Sequence, residues 1–508
     1  MTLTKSLLLG SAAGLVAVAS AQAADLPTRK GPVAVEYVRV CSITVAGTPV
    51  VGFVLPGSDT CFKISGYITG QIEGGNVKTA YFQGSSTSGN NPGNGPLTNN
   101  LSGVGGHYGS PDYQYIVPNG GEQRDTFGYT TRFNLTFDAV SNTAYGPLVA
   151  HGEYQFNHGG GFDNAGTGGS DGGLNRAYVT WAGISAGKMN SFFSFTGGGL
   201  AWNNFFSPDR QGFDEPDVLA YTASFGGGFS ATIAIEDPYN GGSNGNNVSN
   251  LASGGGGTYM GYLGSATEQG MRSPDIVGSL DVKQAWGTAH LAGVLHNIRA
   301  DGSYGGDYYD EASYSSCYYY SSCSASLDKW GYAVDAGVTF NIPNLAGSMI
   351  GVTGSWSQNA SRYGGLPDAM NGEEGSVNGN GQNMAIGDAF LNEDGSWATP
   401  TSWSISAWGA FQVTPQVNLG IEGSYGENTW SGKGYDSPLY DSRSWLIGGI
   451  AHYDPVKNLD FEFELLYQNT QNSQPAGYVA GSPGSGTTTS WQGEADGFQA
   501  RFEVTRNF

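Results

Sequence analysis

Much of this chain is written in period two. In 61–73, Phe62, Ile64, Ile68 and Ile72 alternate with Lys63, Ser65, Thr69, Gln71 and Glu73. In 127–138, Phe127, Tyr129, Phe133, Leu135 and Phe137 alternate with Thr130, Arg132, Asn134, Thr136 and Asp138. The same rhythm sets Phe229, Ala231, Ile233 and Ile235 against Ser230, Thr232 and Glu236. It sets Val417, Leu419, Ile421 and Tyr425 against Asn418, Glu422 and Ser424. It sets Leu459, Phe461, Phe463, Leu465 and Tyr467 against Asp460, Glu462, Glu464 and Gln468. In 496–508, Phe498, Ala500, Phe502 and Val504 fall on one parity, and Gln499, Arg501, Glu503, Thr505 and Asn507 on the other. Successive side chains of a strand point to opposite faces, so each stretch predicts a strand with one apolar and one polar face.

The pattern predicts sixteen strands, at approximately 61–76, 127–141, 147–158, 174–181, 184–193, 218–225, 229–237 and 274–285, then 288–300, 329–342, 347–360, 402–413, 417–427, 444–454, 459–470 and 496–508. Alternation is blurred at 184–193, 288–300 and 444–454. Most spans run to about 9–14 residues, the length of a tilted bilayer crossing. Strands of a soluble sandwich are shorter, around five or six residues. Connections alternate in length. Tight turns fall near 142–146, 182–183, 226–228, 286–288, 343–346, 414–416 and 455–458. Long loops fall near 77–126, 159–173, 194–217, 238–273, 301–327, 361–401, 428–443 and 471–495. Short connections at one end and long ones at the other are the asymmetry of a transmembrane barrel. The expected fold is therefore all-β: a 16-stranded antiparallel transmembrane β-barrel over 61–508, with short periplasmic turns and long extracellular loops. The last strand must close on the first, because a free edge in lipid leaves N–H and C=O groups unpaired.

Composition agrees with this picture. Of 508 residues, 39% are hydrophobic and 83 are glycine; a chain this long normally shows clear helical stripes, and few occur here. The N-terminus has a basic start at Lys5, an apolar run over 6–19 and Ala-Gln-Ala at 21–23. That is the form of a secretory signal over 1–23, cut after Ala23, and the run is too short to span as a helix. Residues 24–60 are then expected as an N-terminal periplasmic segment. The net charge of −22 argues against nucleic acid as a partner and allows attraction of cations. Export to an oxidising compartment favours pairing of Cys41, Cys61, Cys317 and Cys323. Cys41 with Cys61 and Cys317 with Cys323 close the shortest loops, although four cysteines allow three connectivities.

Several stretches together resemble the alphaproteobacterial general porins. They are VEYVRVCSI at 35–43, PGSDTCFKISGYI at 56–68, NRAYVTWAGISAGKMNSFFSF at 175–195, VLAYTASFGGGFSATIAIEDP at 218–238 and the closing FEVTRNF. The resemblance implies a sixteen-stranded barrel, a homotrimer among outer-membrane lipids, and passive diffusion of small polar solutes and ions without a cofactor. It implies that Phe508 is read by the barrel assembly machinery, and that the third long loop, 194–217, bends into the pore. That loop carries Asp209, Asp214, Glu215 and Asp217 against one base, Arg210. The opposing bases of the pore wall are expected at Lys63, Arg132, Arg176, Lys188 and Arg501, with Arg132, Arg176, Asp214 and Glu215 foremost. Acids facing bases across a constriction would set ion preference, and the same charges would otherwise simply line a wet wall or pair with one another. The loops at 77–126, 301–327 and 361–401 are long for the family and are expected on the external surface.

Other chemistry fits poorly. A Gly-x-Ser-x-Gly match around Ser170 lies in a glycine-rich stretch read as a loop, without the strand and helix of a nucleophile elbow. His107, His151, His158, His290, His296 and His452 show no paired ligand spacing, so no metal is expected. Glu462 and Glu464 share one strand face and read as wall lining. The GGSDGG stretch lacks the nine-residue register of a calcium-binding repeat. A substrate-selective channel for a sugar or organic anion would show an aromatic ladder or a basic track. A structural or adhesive barrel would have a plugged lumen, and a hydrolase would need Ser170. Net acidity favours mild cation selectivity.

Overall fold

The computed structural model describes residues 39–55, 57–76, 81–83, 127–160, 169–196, 215–237, 264–268, 272–304, 323–365, 388–392, 395–433, 441–473, 490–492 and 494–508. They build a closed barrel of sixteen antiparallel strands. The first half of the wall is β1 (Cys61–Asn76), β2 (Phe127–Thr143), β3 (Gly146–Gly160), β4 (Gly169–Trp181), β5 (Ile184–Lys188), β6 (Asp217–Gly226), β7 (Phe229–Glu236) and β8 (Asp275–Gln284). The second half is β9 (Gly287–Tyr304), β10 (Cys323–Asn341), β11 (Met349–Gln358), β12 (Trp397–Thr414), β13 (Val417–Ser431), β14 (Ser442–Val456), β15 (Leu459–Asn472) and β16 (Glu494–Asn507).

Each strand pairs with its sequence neighbour, and β16 closes on β1 from Phe498 opposite Asn76 to Asn507 opposite Tyr67. Phe508 ends that seam: its N–H donates to the Gly66 carbonyl at 3.0 Å, and the Gly66 N–H donates back at 3.2 Å. The ladder thus has no open edge toward lipid, as a wall in hydrocarbon requires.

All sixteen expected spans contain a strand, and several differ in extent: β12 begins at Trp397, not 402, and β13 runs to Ser431, not 427. β5 ends at Lys188, not 193, because the chain leaves the wall there. β4 begins at Gly169, so Ser170 sits on a strand opposite His158 and not in a loop. β9 and β10 continue to Tyr304 and Cys323 as one ladder, so part of the 301–327 loop is strand. Cys41 and Cys61 are bonded, with Cα atoms 5.7 Å apart. Cys317, and with it the pairing expected with Cys323, lies outside the described residues.

The apolar parity faces outward: Ile64, Ile68, Ile72, Ile233, Ile421 and Leu465 are all exposed. Two belts of aromatic residues bound this surface. Near the turns lie Tyr145 against Trp181 and Trp286 against Phe340. Toward the long loops lie Tyr332 against Trp356, Trp403 against Tyr425 and Trp445 against Tyr467. From Trp330 to Phe340 along β10 is roughly 33 Å at 3.3 Å per residue. At a tilt of about 40° the height is about 25 Å, which matches the apolar band of outer-membrane barrels. Tyr and Trp suit such belts because one end of the ring is apolar and the other wet.

The polar parity faces inward, but apolar patches interrupt it, and two of them among the described residues are covered by chain from outside the wall. At the turn end, Val140 of β2 and Val149 of β3 pair on the inner wall beside Cys61. A hairpin of Val40–Val45 and Thr48–Val54 lays Ile43, Val45 and Val50 over them. The hairpin joins β1 through Phe53 opposite Phe62 and Val54 opposite Cys61, with the disulfide as a second tether. This part of the N-terminal segment is therefore built onto the inner wall of the periplasmic mouth. The second patch lies halfway round the barrel and holds the candidate site.

Candidate pore constriction

Val218, Ala220, Ala234, Val277, Ala292, Val294 and Ala333, from β6 to β10, form the second patch. Small and β-branched residues on the water side of a wall make sense only beneath a lid. The lid is the segment after β5. At Lys188 the chain turns off the sheet, and Phe193 enters the patch with 0% exposure. Its ring meets Tyr363 edge to face, with centroids 4.9 Å apart. Glu236 of β7 fixes the approach: it accepts from the Ser191 hydroxyl at 2.7 Å and from the Phe192 N–H at 2.8 Å. His290 Nε2 donates to the Phe193 carbonyl at 3.0 Å, while Nδ1 lies 2.7 Å from Asp281. Phe195 then stacks on His290 and tilts against the inward Trp408. It rests on Gly337 of β10, where a Cβ would stand 2.1 Å from Phe195 Cδ1. The root of the third loop thus folds into the lumen.

A second segment joins it. After β11, Ala360 and the 3₁₀ turn Ser361–Gly364 lie buried on the inner wall, and Asp388 and Ala389 return to the same region. The Asn359 backbone presses on Gly331, where a Cβ would meet its carbonyl oxygen at 2.1 Å. Buried polar groups tie this strap to the wall. Asp275 of β8 accepts from the Tyr363 hydroxyl at 2.5 Å and lies 2.8 Å from His296 Nδ1. His296 Nε2 faces Asp388 at 3.6 Å. Asp388 accepts from the Ser361 N–H and hydroxyl at 2.8 and 3.0 Å. Burial, with the Asp275 and Glu236 carboxylates alongside, pushes the Tyr363 phenol well above its usual range, so it stays a donor. Burial alone would raise the Asp388 carboxyl, but His296 and Ser361 outweigh it and hold it below the ordinary carboxylate range. The start and end of the 361–401 loop therefore lie inside the barrel, not on the external surface.

The expected wall bases are mostly paired. Arg176 Nη2 contacts Glu215 at 3.2 Å, and its Nη1 lies 3.8 Å from Glu153. Lys188 donates to the Asn175 carbonyl at 2.8 Å and lies 3.8 Å from Glu215. Glu215 meets Arg176 and Lys188 as an ion-paired group at the returning end of the loop. Lys188 is opposite Ala177 in the ladder and reaches the pair from the strand end, so it is not on the inward parity. Arg132 is inward and buried, with Nε donating to Asn157 at 2.8 Å. Lys63 is inward, opposite Asp138. Arg501 is 1% exposed and holds Glu464 at 2.5 Å.

Asp217 departs from expectation. It opens β6 on the exposed parity of Leu219 and Tyr221, so it is not a constriction acid. Asp209 and Asp214 lie outside the described residues. On β15 and β16 the inward acids Asp460, Glu462, Glu464 and Glu503 face one inward base, Arg501. The lumen wall is acid-rich there.

Comparison with known proteins converges on one family. A family model described as Porin subfamily matches residues 25–494. Porin Omp2a of Brucella ovis is 32% identical over 311 residues, which is 57% of this chain and 69% of that protein. Porin Omp2b of Brucella suis biovar 1 is 31% identical over 302 residues, 57% and 65% of the two chains. The alignments thus span about two thirds of the relatives' length. Among solved structures, the outer membrane channel DcaP of Acinetobacter baumannii aligns at a TM-score of 0.47 and 12% identity, over 89% of this chain and 99% of that one. The anion-selective porin from Comamonas acidovorans aligns at 0.41 and 10%, over 88% and 100%. Structural likeness this loose carries no argument about the site. With a closed barrel, an outward apolar band and a family match across most of the sequence, the chain belongs to the porin subfamily: it is a Gram-negative outer-membrane β-barrel and a diffusion pore, not an enzyme.

Proposed function

We propose that this porin passes small hydrophilic solutes and ions passively, with a mild preference for cations, as a homotrimer. The observation that supports it most is the pair of segments clamped inside the barrel, 189–196 and 360–365 with 388–389. A sixteen-stranded barrel without them encloses an open aqueous channel. With them it has a narrowed eyelet whose size decides what passes. The acid excess on β15 and β16 favours cations where field lines are confined. Residues 1–23 are removed on export after Ala23, and Phe508, at the periplasmic end of the seam, is the feature read by the assembly machinery. Lys63 is the wall base that solute meets, Arg132 acts through its field from behind Asn157, and Asp209 and Asp214 serve as acids of the constriction loop. Reversal potentials in planar bilayers under a KCl gradient test the preference. A potential of the cation-favouring sign is expected, and a chloride-favouring one rejects this reading of the wall.

A further inference from the structure

The turn at 457–458 joins β14 to β15 at the periplasmic end of the pore. On the inner wall just above it, His452 stands directly opposite Glu462 in the ladder. The register then slips between Tyr453 and Val456. This brings Asp460 to the same imidazole. His452 Nδ1 lies 2.8 Å from Asp460 Oδ2 and 3.8 Å from Glu462 Oε2. One donor atom from each residue falls within 4.8 Å of the other two. Donor atoms on one tetrahedral zinc ion, each at about 2.0–2.1 Å, stand roughly 3.3 Å apart. The observed spacings bracket that value.

A histidine beside two acids is often only an ion pair. The state of Glu462 argues for more. It is 5% exposed, and its Oε1 is buried without a hydrogen-bond partner, as is Asp460 Oδ1. Across the next rung Glu462 faces Glu503, whose Oε2 is also buried without one. A buried carboxylate with no donor is costly unless a cation meets it. Arg501, the inward base of β16, spends its Nη2 on Glu464.

We propose that His452, Asp460 and Glu462 form a binding site for a divalent transition-metal cation of the zinc class, on the inner wall at the periplasmic exit. One imidazole nitrogen with carboxylate oxygens suits Zn²⁺, Co²⁺ or Mn²⁺, whereas Ca²⁺ and Mg²⁺ prefer oxygen alone. The site was hidden in the sequence because His452 and its acids sit on separate strands, and no short motif spans the turn.

The test is titration of the full-length, detergent-folded porin with CoCl₂, read by visible ligand-field absorption. A saturable band is expected that ZnCl₂ removes and CaCl₂ does not. His452→Ala and Glu462→Gln each weaken Co²⁺ binding by at least tenfold, while His158→Ala, away from the cluster, leaves it unchanged. Heat-modifiable gel mobility confirms that each variant keeps its barrel. No saturable band in the wild type overturns the proposal, and so does a band of equal affinity in His452→Ala. Neither outcome touches the diffusion reading, which solute flux tests separately.

Discussion

Replacing Phe193 with alanine attacks the constriction while sparing the wall. The ring is fully buried among inward side chains of β6–β10 and meets Tyr363 edge to face. None of its contacts belongs to the barrel's hydrogen-bonded ladder. Truncating a buried phenylalanine costs about 3–5 kcal/mol. Here the cost falls on docking of the 189–196 segment, since the sheet stays intact without it. At about 1.4 kcal/mol per factor of ten, even 3 kcal/mol lowers the docked-to-undocked ratio roughly a hundred-fold. Glu236 still holds Ser191 and Phe192, so the segment is expected to exchange between states. Single-channel recording on Phe193→Ala should show larger mean conductance and more open-channel noise, and liposomes should admit larger sugars. Gel mobility before and after heating should match the wild type. An intact variant with wild-type conductance, noise and size cutoff would refute the view that this segment narrows the pore.

Three further outcomes follow from the same packing. Gly337→Ala places a methyl where Phe195 now rests and should reproduce the noisy, enlarged channel without removing any inward side chain; a silent variant would mean that Phe195 does not bear on the wall. Cys41→Ser removes a cross-link of sequence separation 20, worth about 3 kcal/mol in the chain-entropy picture. Limited proteolysis should then cut the 40–54 hairpin at its turn while the barrel survives, and resistance equal to the wild type would show that the contacts with Val140 and Val149 suffice. Asp388 is held below its unfolded value, so its pairing contributes stability above the ordinary carboxylate range and loses it as pH falls through the depressed folded value. Channel noise should therefore rise on strong acidification, Asp388→Asn should be noisy at every pH, and flat wild-type noise down to barrel unfolding would contradict the strap.

The wall was legible because lipid outside and water inside impose one rule on every strand, and period two records it. The blurred spans are informative in hindsight. In 288–300 the inward positions include Ala292, Val294 and Ile298, and in 444–454 they include Leu446 and Ile450. Ala292 and Val294 lie beneath the Phe193 segment and Ile298 packs with Ala389, so apolar residues on the water side of β9 mark a covered wall. In 184–193 the expected span runs on to Phe193, but the chain leaves the sheet after Lys188, and the apolar character of Phe193 serves the lumen patch. The two ends of the 361–401 loop were misplaced because their anchors, Tyr363 and Asp388, find Asp275 and His296 only through the closed barrel. The charge pattern was half legible. Glu215 does meet Arg176, but parity alone could not show that Asp217 faces outward once the strand resumes.

The most direct test of the account is liposome swelling by the purified porin with a graded series of uncharged sugars. Entry rates should fall smoothly with solute size, and the cutoff should move upward in Phe193→Ala. No entry of any sugar, or rapid entry of one sugar out of order with its size, would contradict a passive pore gated only by its width.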